Sequence, residues 1–596
     1  MKREAGSGDY EGRTLLPTRQ SRFPLPASLA VTRFPLPASL FPRSVLQALS
    51  ARLGILPRYV DVAGREHITP ADTAVAILAA MGIDASTDHA ARAALRRLDD
   101  AEQRRILEPV RVVLDADAWQ STLRFRVPAE FGPPNERHRI AYECTLTDEH
   151  QERVTYAGAV EQVAGDVVDV GLAPLVGAGY YDARLTLQSR GVLREAEQRL
   201  VVAPRACVTP ARPAFGITAN LYSVRSATNW SVGTLADLAT LAEWSASHGA
   251  AFVGINPLHA LRNRGYDISP YSPVSRLYRS AAYLDIDSVP ELAESDAARA
   301  LLSRDDVRAA LAQLRAGDRV DYERATTLAR PVLHALHRAF MARAAGDARR
   351  AAYDRYVAEQ GDALTAFATF SALDESFAPI ASWREWPAAY RTPSSAAVAE
   401  FRTAHREQVD FHRWIQFELD RQLRHAAERG RRAGLSIGIY QDLAIGSSSD
   451  GSDAWACQHL FLDGLTIGAP PDALAPEGQN WGLPPISPHR LHDDRYAYWI
   501  ALLRAALRHG GALRLDHVLG LFRQFWIPAG RPERDGAYVR FPTNDLLGIL
   551  ALESARHRAV ILCEDLGTLP PEFAPTLGAL NIHGSSVLLF EVDADG

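Results

Sequence analysis

The sequence predicts an α/β protein, a (β/α)8 TIM-type barrel lacking its last two βα units, preceded by a small helical unit and a β-sandwich-like domain. Three observations predict it. After Pro213, apolar strand-like runs alternate with helical stretches, the pattern of strand–helix–strand crossovers around a parallel sheet. Polar residues gather at the C-terminal ends of those runs, where the loops of a barrel converge on one mouth. Six such runs occur before the chain stops at Gly596.

The elements follow in order. Residues 1–44 are rich in Pro, Ser and Arg and repeat RFPLPASL at 22–29 and 33–40. Two copies are too few for a solenoid, so a disordered tail is expected. Over 45–108, Leu46, Leu49, Leu53, Ala74, Ile77, Leu78 and Met81 recur at helical spacing. Thr69-Pro70 reads as a helix start with Thr69 as N-cap. Over 109–208 the period switches to two, in STLRFRV, RIAYECTL and YYDARLTL, as in short antiparallel strands. From 209 to 596 the six barrel strands are expected at 215–223, 251–259, 435–444, 512–519, 559–567 and 585–593. A helical insertion at about 288–430, its charge mostly on solvated faces, separates the second from the third. At 596 residues the chain is long enough for several domains, each with its own core.

Composition narrows the chemistry. Lys2 is the only lysine, which excludes a catalytic Schiff base or a P-loop. The net charge of −6 gives no field for a polyanion, so no nucleic-acid partner is expected. Cys144, Cys207, Cys457 and Cys563 are dispersed and form no CxxC pair. They predict reduced thiols, no metal site and a cytoplasmic protein. No apolar run is long enough to span a membrane. No cofactor is called for.

Two strand ends carry paired carboxylates, the equipment for cleaving a glycosidic bond. In Arg514-Leu515-Asp516-His517, residues 514 and 516 face one side of a strand. The arginine is expected to lower the Asp516 pKa, as suits a nucleophile, although the triplet alone is also what a loop-orienting salt bridge looks like. In Cys563-Glu564-Asp565-Leu566-Gly567, Glu564 ends an apolar strand. Lost hydration there is expected to raise its pKa, as suits a general acid. Asp565 points the other way and positions the loop.

With SPYSPVSR at 269–276, YQDLA at 440–444, GAPPD at 468–472, GQNWGLPP at 478–485, NPLHAL at 256–261 and LYSVRS at 221–226, the set resembles the amylomaltases, the 4-α-glucanotransferases of glycoside hydrolase family 77. The resemblance covers about 213–592, and the GQNWG segment is its most specific piece. It implies retaining transfer of 4-α-glucan segments between α-1,4-glucans and maltooligosaccharides. Asp516 would be the nucleophile, Glu564 the acid/base and Arg514 the arginine beside the nucleophile. His517, Asp442, Tyr271, Trp481, Asn480 and Gln479 would line the substrate, with Trp481 in a loop offering a stacking face. A retaining pair of carboxyl groups lies about 5–5.5 Å apart. A hydrolase on the same barrel, or a non-catalytic glucan-binding protein, are the alternatives.

The pattern departs in places. The family's third carboxylate, in a Thr-His-Asp segment, has no counterpart after Glu564, so a truncated chain, inactive alone or severely impaired, is expected. Gln441 replaces an arginine, Ser231 and Thr234 stand where Gly and Asp are usual, and RSAAY at 279–283 lacks an Asn.

Overall fold

The computed structural model describes residues 44–587, apart from 62–63, 115–121, 134–138, 161–165, 172–175, 266, 473–474 and 567–568. The tail expected over 1–44 lies outside these residues except for Ser44.

The first helical unit is α1 (Val45–Arg52), α2 (Ala71–Ala80) and α3 (Asp88–Arg104), with an antiparallel hairpin of β1 (Arg58–Val60) and β2 (Glu66–Ile68) between the first two helices. The hairpin is absent from the sequence expectation because its strands are three residues each. Thr87 caps α3 by accepting from the Ala90 amide. Thr69 does not cap α2. Pro70 is the N-cap residue, and the Thr69 hydroxyl donates to the Leu56 carbonyl at 2.6 Å.

Seven strands follow: β3 (Val110–Leu114), β4 (Thr122–Arg126), β5 (Ile140–Asp148), β6 (Arg153–Val160), β7 (Val167–Gly171), β8 (Gly179–Ser189) and β9 (Val192–Ala203). They form a five-stranded sheet, β3-β9-β8-β5-β6, and a two-stranded sheet, β4-β7. Phe125 and Val168 of the small sheet share one apolar core with Ile140, Leu185 and Val202 of the large one. All pairs are antiparallel except β3 with β9.

The remaining elements are β10 (Gly216–Ala219), α4 (Leu235–Ser247), β11 (Phe252–Ile255), β12 (His259–Ala260), β13 (Ser275–Arg279), then α5 (Asp296–Ser303), α6 (Asp305–Ala316), α7 (Tyr322–Met341), α8 (Ala348–Ser376), α9 (Ala396–Ala404) and α10 (Arg406–Ala433). They continue with β14 (Gly438–Leu443), α11 (Ser452–Ala456), β15 (Leu465–Ala469), β16 (Gln479–Leu483), α12 (Pro488–Asp493), α13 (Ala497–Leu507), β17 (Ala512–Leu515), β18 (Arg523–Pro528), β19 (Ala537–Arg540), α14 (Thr543–His557), β20 (Val560–Cys563) and α15 (Phe573–Ala579). Strands β10, β11, β14, β17 and β20 make one parallel sheet in chain order. These are the first five expected barrel strands. The sixth, 585–593, lies largely outside the described residues.

Leu49, Ile77 and Leu78 of the helical unit pack into the same apolar cluster as Leu513, Trp526 and Ile561 of the barrel portion. The Leu56 amide also donates to Tyr538 O at 2.8 Å. Two acids are exceptions to the mostly solvated charge of the helical insertion. Glu291 and Glu418 are fully buried, tied by Arg349, with Arg343 also on Glu291 and Arg421 on Glu418. A buried charge persists only when paired in this way.

Candidate active site

The site is assembled by register. Asp442 of β14 stands opposite Arg514 of β17, and Leu515 opposite Cys563 of β20. The parallel ladder then runs one step further, with the Asp516 amide donating to Leu443 O at 3.1 Å and the Glu564 amide to Leu515 O at 3.0 Å. Asp516 and Glu564 therefore emerge side by side where adjacent strands end. Arg514 lies between all three acids. Its Nη1 donates to Asp442 Oδ1 at 2.8 Å and lies 3.1 Å from Asp516 Oδ1, while Nη2 donates to Glu564. Leu515, between the two functional positions, is buried in the apolar core, as strand alternation requires.

The electrostatics differ from the sequence expectation. Asp516 is not depressed by its arginine; its pKa is pushed up to about 7. Burial is the largest cause, Arg514 opposes it, and the negative charges of Asp442 and Glu564 reinforce it, together with a hydrogen bond between the Asp516 and Glu564 carboxyl groups. Two carboxylates so close favour a shared proton. Burial also raises the Asp442 pKa against the opposing pull of Arg514. His517 is held down to about 4, chiefly by desolvation, so its ring is neutral and offers one donor and one acceptor.

The other expected residues fall into two groups. Tyr271 belongs to the core of the site, its hydroxyl donating to Asp442 Oδ2 at 2.9 Å. Trp481 is brought in by its ring, edge-on to His517 with centroids 4.9 Å apart. It is not in a loop: Gln479, Asn480 and Trp481 lie on β16, the edge strand of an antiparallel sheet ordered β16-β15-β18-β19. Left-handed glycines stand just before this strand at Gly478 and within it at Gly482, with φ of 90° and 69°, a conformation that side chains disfavour. Gln479 accepts from the Trp481 indole N–H at 3.1 Å, and Asn480 from the Gly482 amide at 2.9 Å. Both are exposed, and these side-chain bonds stay within β16.

The departures also have places. Gln441 is buried and donates to Arg508 O at 2.9 Å, on the face of β14 away from Asp442. Thr234 makes a capping box with Asp237 at the start of α4. Ser231 adopts a φ of 77°, the conformation that suits glycine, and accepts from Arg225 at 2.9 Å. Tyr283, from the segment lacking an Asn, accepts from Asn256 at 2.9 Å, and Asn256 in turn accepts from the Leu221 amide at 2.7 Å. The NPLHAL and LYSVRS segments are joined there. Asp565 accepts from the Ser585 amide, beyond α15, at 2.8 Å.

Sequence reasoning missed a buried hub beneath the site. Asp453 accepts from the Ser275 hydroxyl, the Arg276 amide, Ser447 and Tyr498 at 2.6–2.9 Å. The Arg276 guanidinium donates to the carbonyls of Ala444 and Ile445, just past Asp442, at 3.0 and 2.8 Å. Asp453, the second of two aspartates in the polar run GSSSDGSDAW, carries no local signal of this role. The four cysteines are free. Burial raises the Cys144 thiol to about 11 and the other three to about 12, so none is a thiolate at neutral pH.

Residues 219–596 match the family model of the 4-alpha-glucanotransferases of glycoside hydrolase family 77. The chain belongs to this family. It is 38% identical over 567 residues to the 4-alpha-glucanotransferase of Mycobacterium tuberculosis strain H37Rv, covering 92% of this chain and 76% of that one. The Haemophilus influenzae 4-alpha-glucanotransferase is 35% identical over 478 residues, 77% of this chain and 66% of its own length. Among solved structures, the Corynebacterium glutamicum amylomaltase superposes with a TM-score of 0.78 at 30% identity, covering 93% of this chain and 76% of that one. The Streptococcus agalactiae amylomaltase, solved with acarbose, reaches 0.54 at 22% identity, over 63% and 73%; that likeness speaks to the fold alone. The chain is thus an enzyme of the 4-alpha-glucanotransferase type. Among the described residues no helix is long and apolar enough to cross a membrane.

Proposed function

We propose that the cluster at the ends of β14, β17 and β20 is the catalytic centre, acting by retaining double displacement on α-1,4-glucans and maltooligosaccharides. The observation that carries this is the single guanidinium of Arg514 touching Asp442, Asp516 and Glu564 at once. The five parallel strands are then staves of a (β/α)8-type barrel whose mouth holds the reacting bond.

Glu564 gives its proton to the glycosidic oxygen while an Asp516 oxygen attacks the anomeric carbon. The C–O bond to the leaving sugar breaks as the ester bond to Asp516 forms. Glu564, now ionised, takes the proton from the 4-hydroxyl of an acceptor sugar, whose oxygen attacks the anomeric carbon as its bond to the Asp516 oxygen breaks and frees the carboxylate. The stereochemistry is restored by two inversions. Arg514 stabilises ionised Asp516, and Tyr271 holds Asp442 against Arg514. Neutral His517, beneath the Trp481 ring, is placed to hydrogen-bond a sugar hydroxyl. Trp481 on β16 offers an apolar face to a pyranose and excludes water, which favours transfer over hydrolysis.

Incubation with maltotriose tests the reading. Longer oligosaccharides with retained α-anomers support it; release of shorter sugars alone, or product of inverted configuration, refutes it.

A further inference from the structure

Beneath the carboxylate cluster the chain closes a ring of hydrogen bonds. Tyr271, in the β12–β13 connection, donates to Asp442 Oδ2 at 2.9 Å. Arg276, shortly after it on β13, is 6% exposed. Its guanidinium donates to Ala444 O at 3.0 Å, Ile445 O at 2.8 Å and Ser447 Oγ at 3.2 Å, all just past Asp442. Asp453 of α11, 2% exposed, locks this second tie. It gathers Ser275, the Arg276 amide, Ser447 and Tyr498 of α13, and its own amide donates to Val274 O at 3.3 Å. Taking the cluster as the catalytic centre, we infer that Arg276 and Asp453 are positioning residues, which staple the Tyr271 hairpin to the end of β14 and so fix Asp442 against Arg514.

Packing alone does not hold that strand end. Leu443, Ala444, Ile445 and Gly446 line a cavity of about 720 Å³, its open mouth included, and Asp516 and His517 line the same space. A backbone that borders a cavity has fewer atoms wedged against it, so hydrogen bonds carry the task. Leu443 O accepts from the Asp516 amide, and the Ala444 amide donates to His259 Nε2 at 3.3 Å. Burial holds the His259 pKa down to about 3, which leaves its ring neutral and able to accept. The next two carbonyls are those that Arg276 takes.

The ring reaches Asp516 through charge. Around Asp516 stand Arg514 from β17, Asp442 from β14, Glu564 from β20 and Tyr271 from the hairpin. Asp442 raises the Asp516 pKa and Arg514 lowers it. Loosening the ring lets Asp442 leave Arg514, which removes a repulsion from Asp516 and frees the arginine for it. Both changes lower the Asp516 pKa. Arg276 borders the same cavity as Asp516, and loss of its positive charge alone would act in the opposite direction.

Urea unfolding of the full chain from pH 4 to pH 8 tests this without turnover. Asp516→Asn removes the buried ionisable group, so the rise in the unfolding free energy that it brings at pH 8 over pH 4 reads the Asp516 pKa. Expressed as an equilibrium constant, that gain should be about tenfold smaller in an Arg276→Met background, the effect of one neighbouring carboxylate on a pKa. A tie that only supports the fold would lower the stability of Arg276→Met and of its Asp516→Asn double variant alike and leave the gain intact. If Arg276→Met does not fold, Ser447→Ala, which removes the partner that Arg276 and Asp453 share, decides by the same measurement. An equal or larger gain in the variant background overturns the inference and leaves the catalytic centre standing. A gain absent from the native background refutes the carboxylate cluster, and the inference with it.

Discussion

Replacing Arg514 with methionine removes the one positive charge among three acids while keeping side-chain length. Asp516 titrates near 7 with the arginine in place, so about half of it is ionised at pH 7. An arginine in contact lowers a carboxylate pKa by about 1–3 units, and its loss raises Asp516 by that amount. A shift of two units leaves about one molecule in a hundred ionised at pH 7, a loss of about 50-fold in kcat/KM from ionisation alone. The sign fixes the pH dependence, because the nucleophile must be deprotonated. The ratio of native to variant kcat/KM is therefore largest below pH 7 and narrows as pH rises through 9. Since kcat/KM reports groups of the free enzyme, maltotriose disproportionation followed by chromatography from pH 5 to 10 reads the acid limb directly. Arg514→Lys keeps the charge and should leave the limb near 7 even where its geometry costs activity. A ratio for Arg514→Met that is constant across pH, or an acid limb that does not move, would refute the electrostatic role.

Further outcomes follow from the same geometry. Asp516→Asn should abolish transfer by at least about a thousandfold and yet stabilise the fold. A folded pKa above the unfolded value means stability falls as pH rises between about 4 and 7. The gain, of order 3 kcal/mol, should thus appear as a higher Tm at pH 8 and vanish near pH 4; a lower Tm at pH 8 contradicts the burial argument. Trp481→Ala should weaken acceptor binding about tenfold and raise the share of hydrolysis in the maltotriose products, measured as free glucose against longer oligosaccharides. Glu418→Ala takes one carboxylate from Arg349 and Arg421 while Arg349 keeps Glu291 and Arg421 the Ser288 carbonyl, so it should cost about 1–3 kcal/mol in urea unfolding; no measurable change would show the network to be solvated.

The strand ends were legible because chemistry and periodicity coincide there. Asp442, Asp516 and Glu564 each close an apolar run, and alternation alone places Arg514 on the Asp516 side. What the sequence could not show depends on neighbours distant in the chain. The ionisation of Asp516 is decided less by the arginine two residues away than by burial and by Asp442 and Glu564, which arrive from other strands. The Asp453 hub draws on β13, a loop and α13, so no local pattern marks it. Trp481 sits among Gly and Pro, which read as loop, yet β16 pairs with β15 around a register irregularity near Gly468. The insertion looked solvated because periodicity cannot distinguish an acid facing water from Glu418 facing Arg349.

The apolar cluster running without a break from Leu49 through Trp526 to Ile561 bears on how the polypeptide can be divided. Expression of residues 209 onward would leave the greasy surface normally covered by α1, α2 and α3 facing solvent, inviting aggregation. The amino-terminal helices, cut away alone, would lack the partner that makes them hold their shape. A protease nick between them should therefore release neither piece until the whole assembly is denatured.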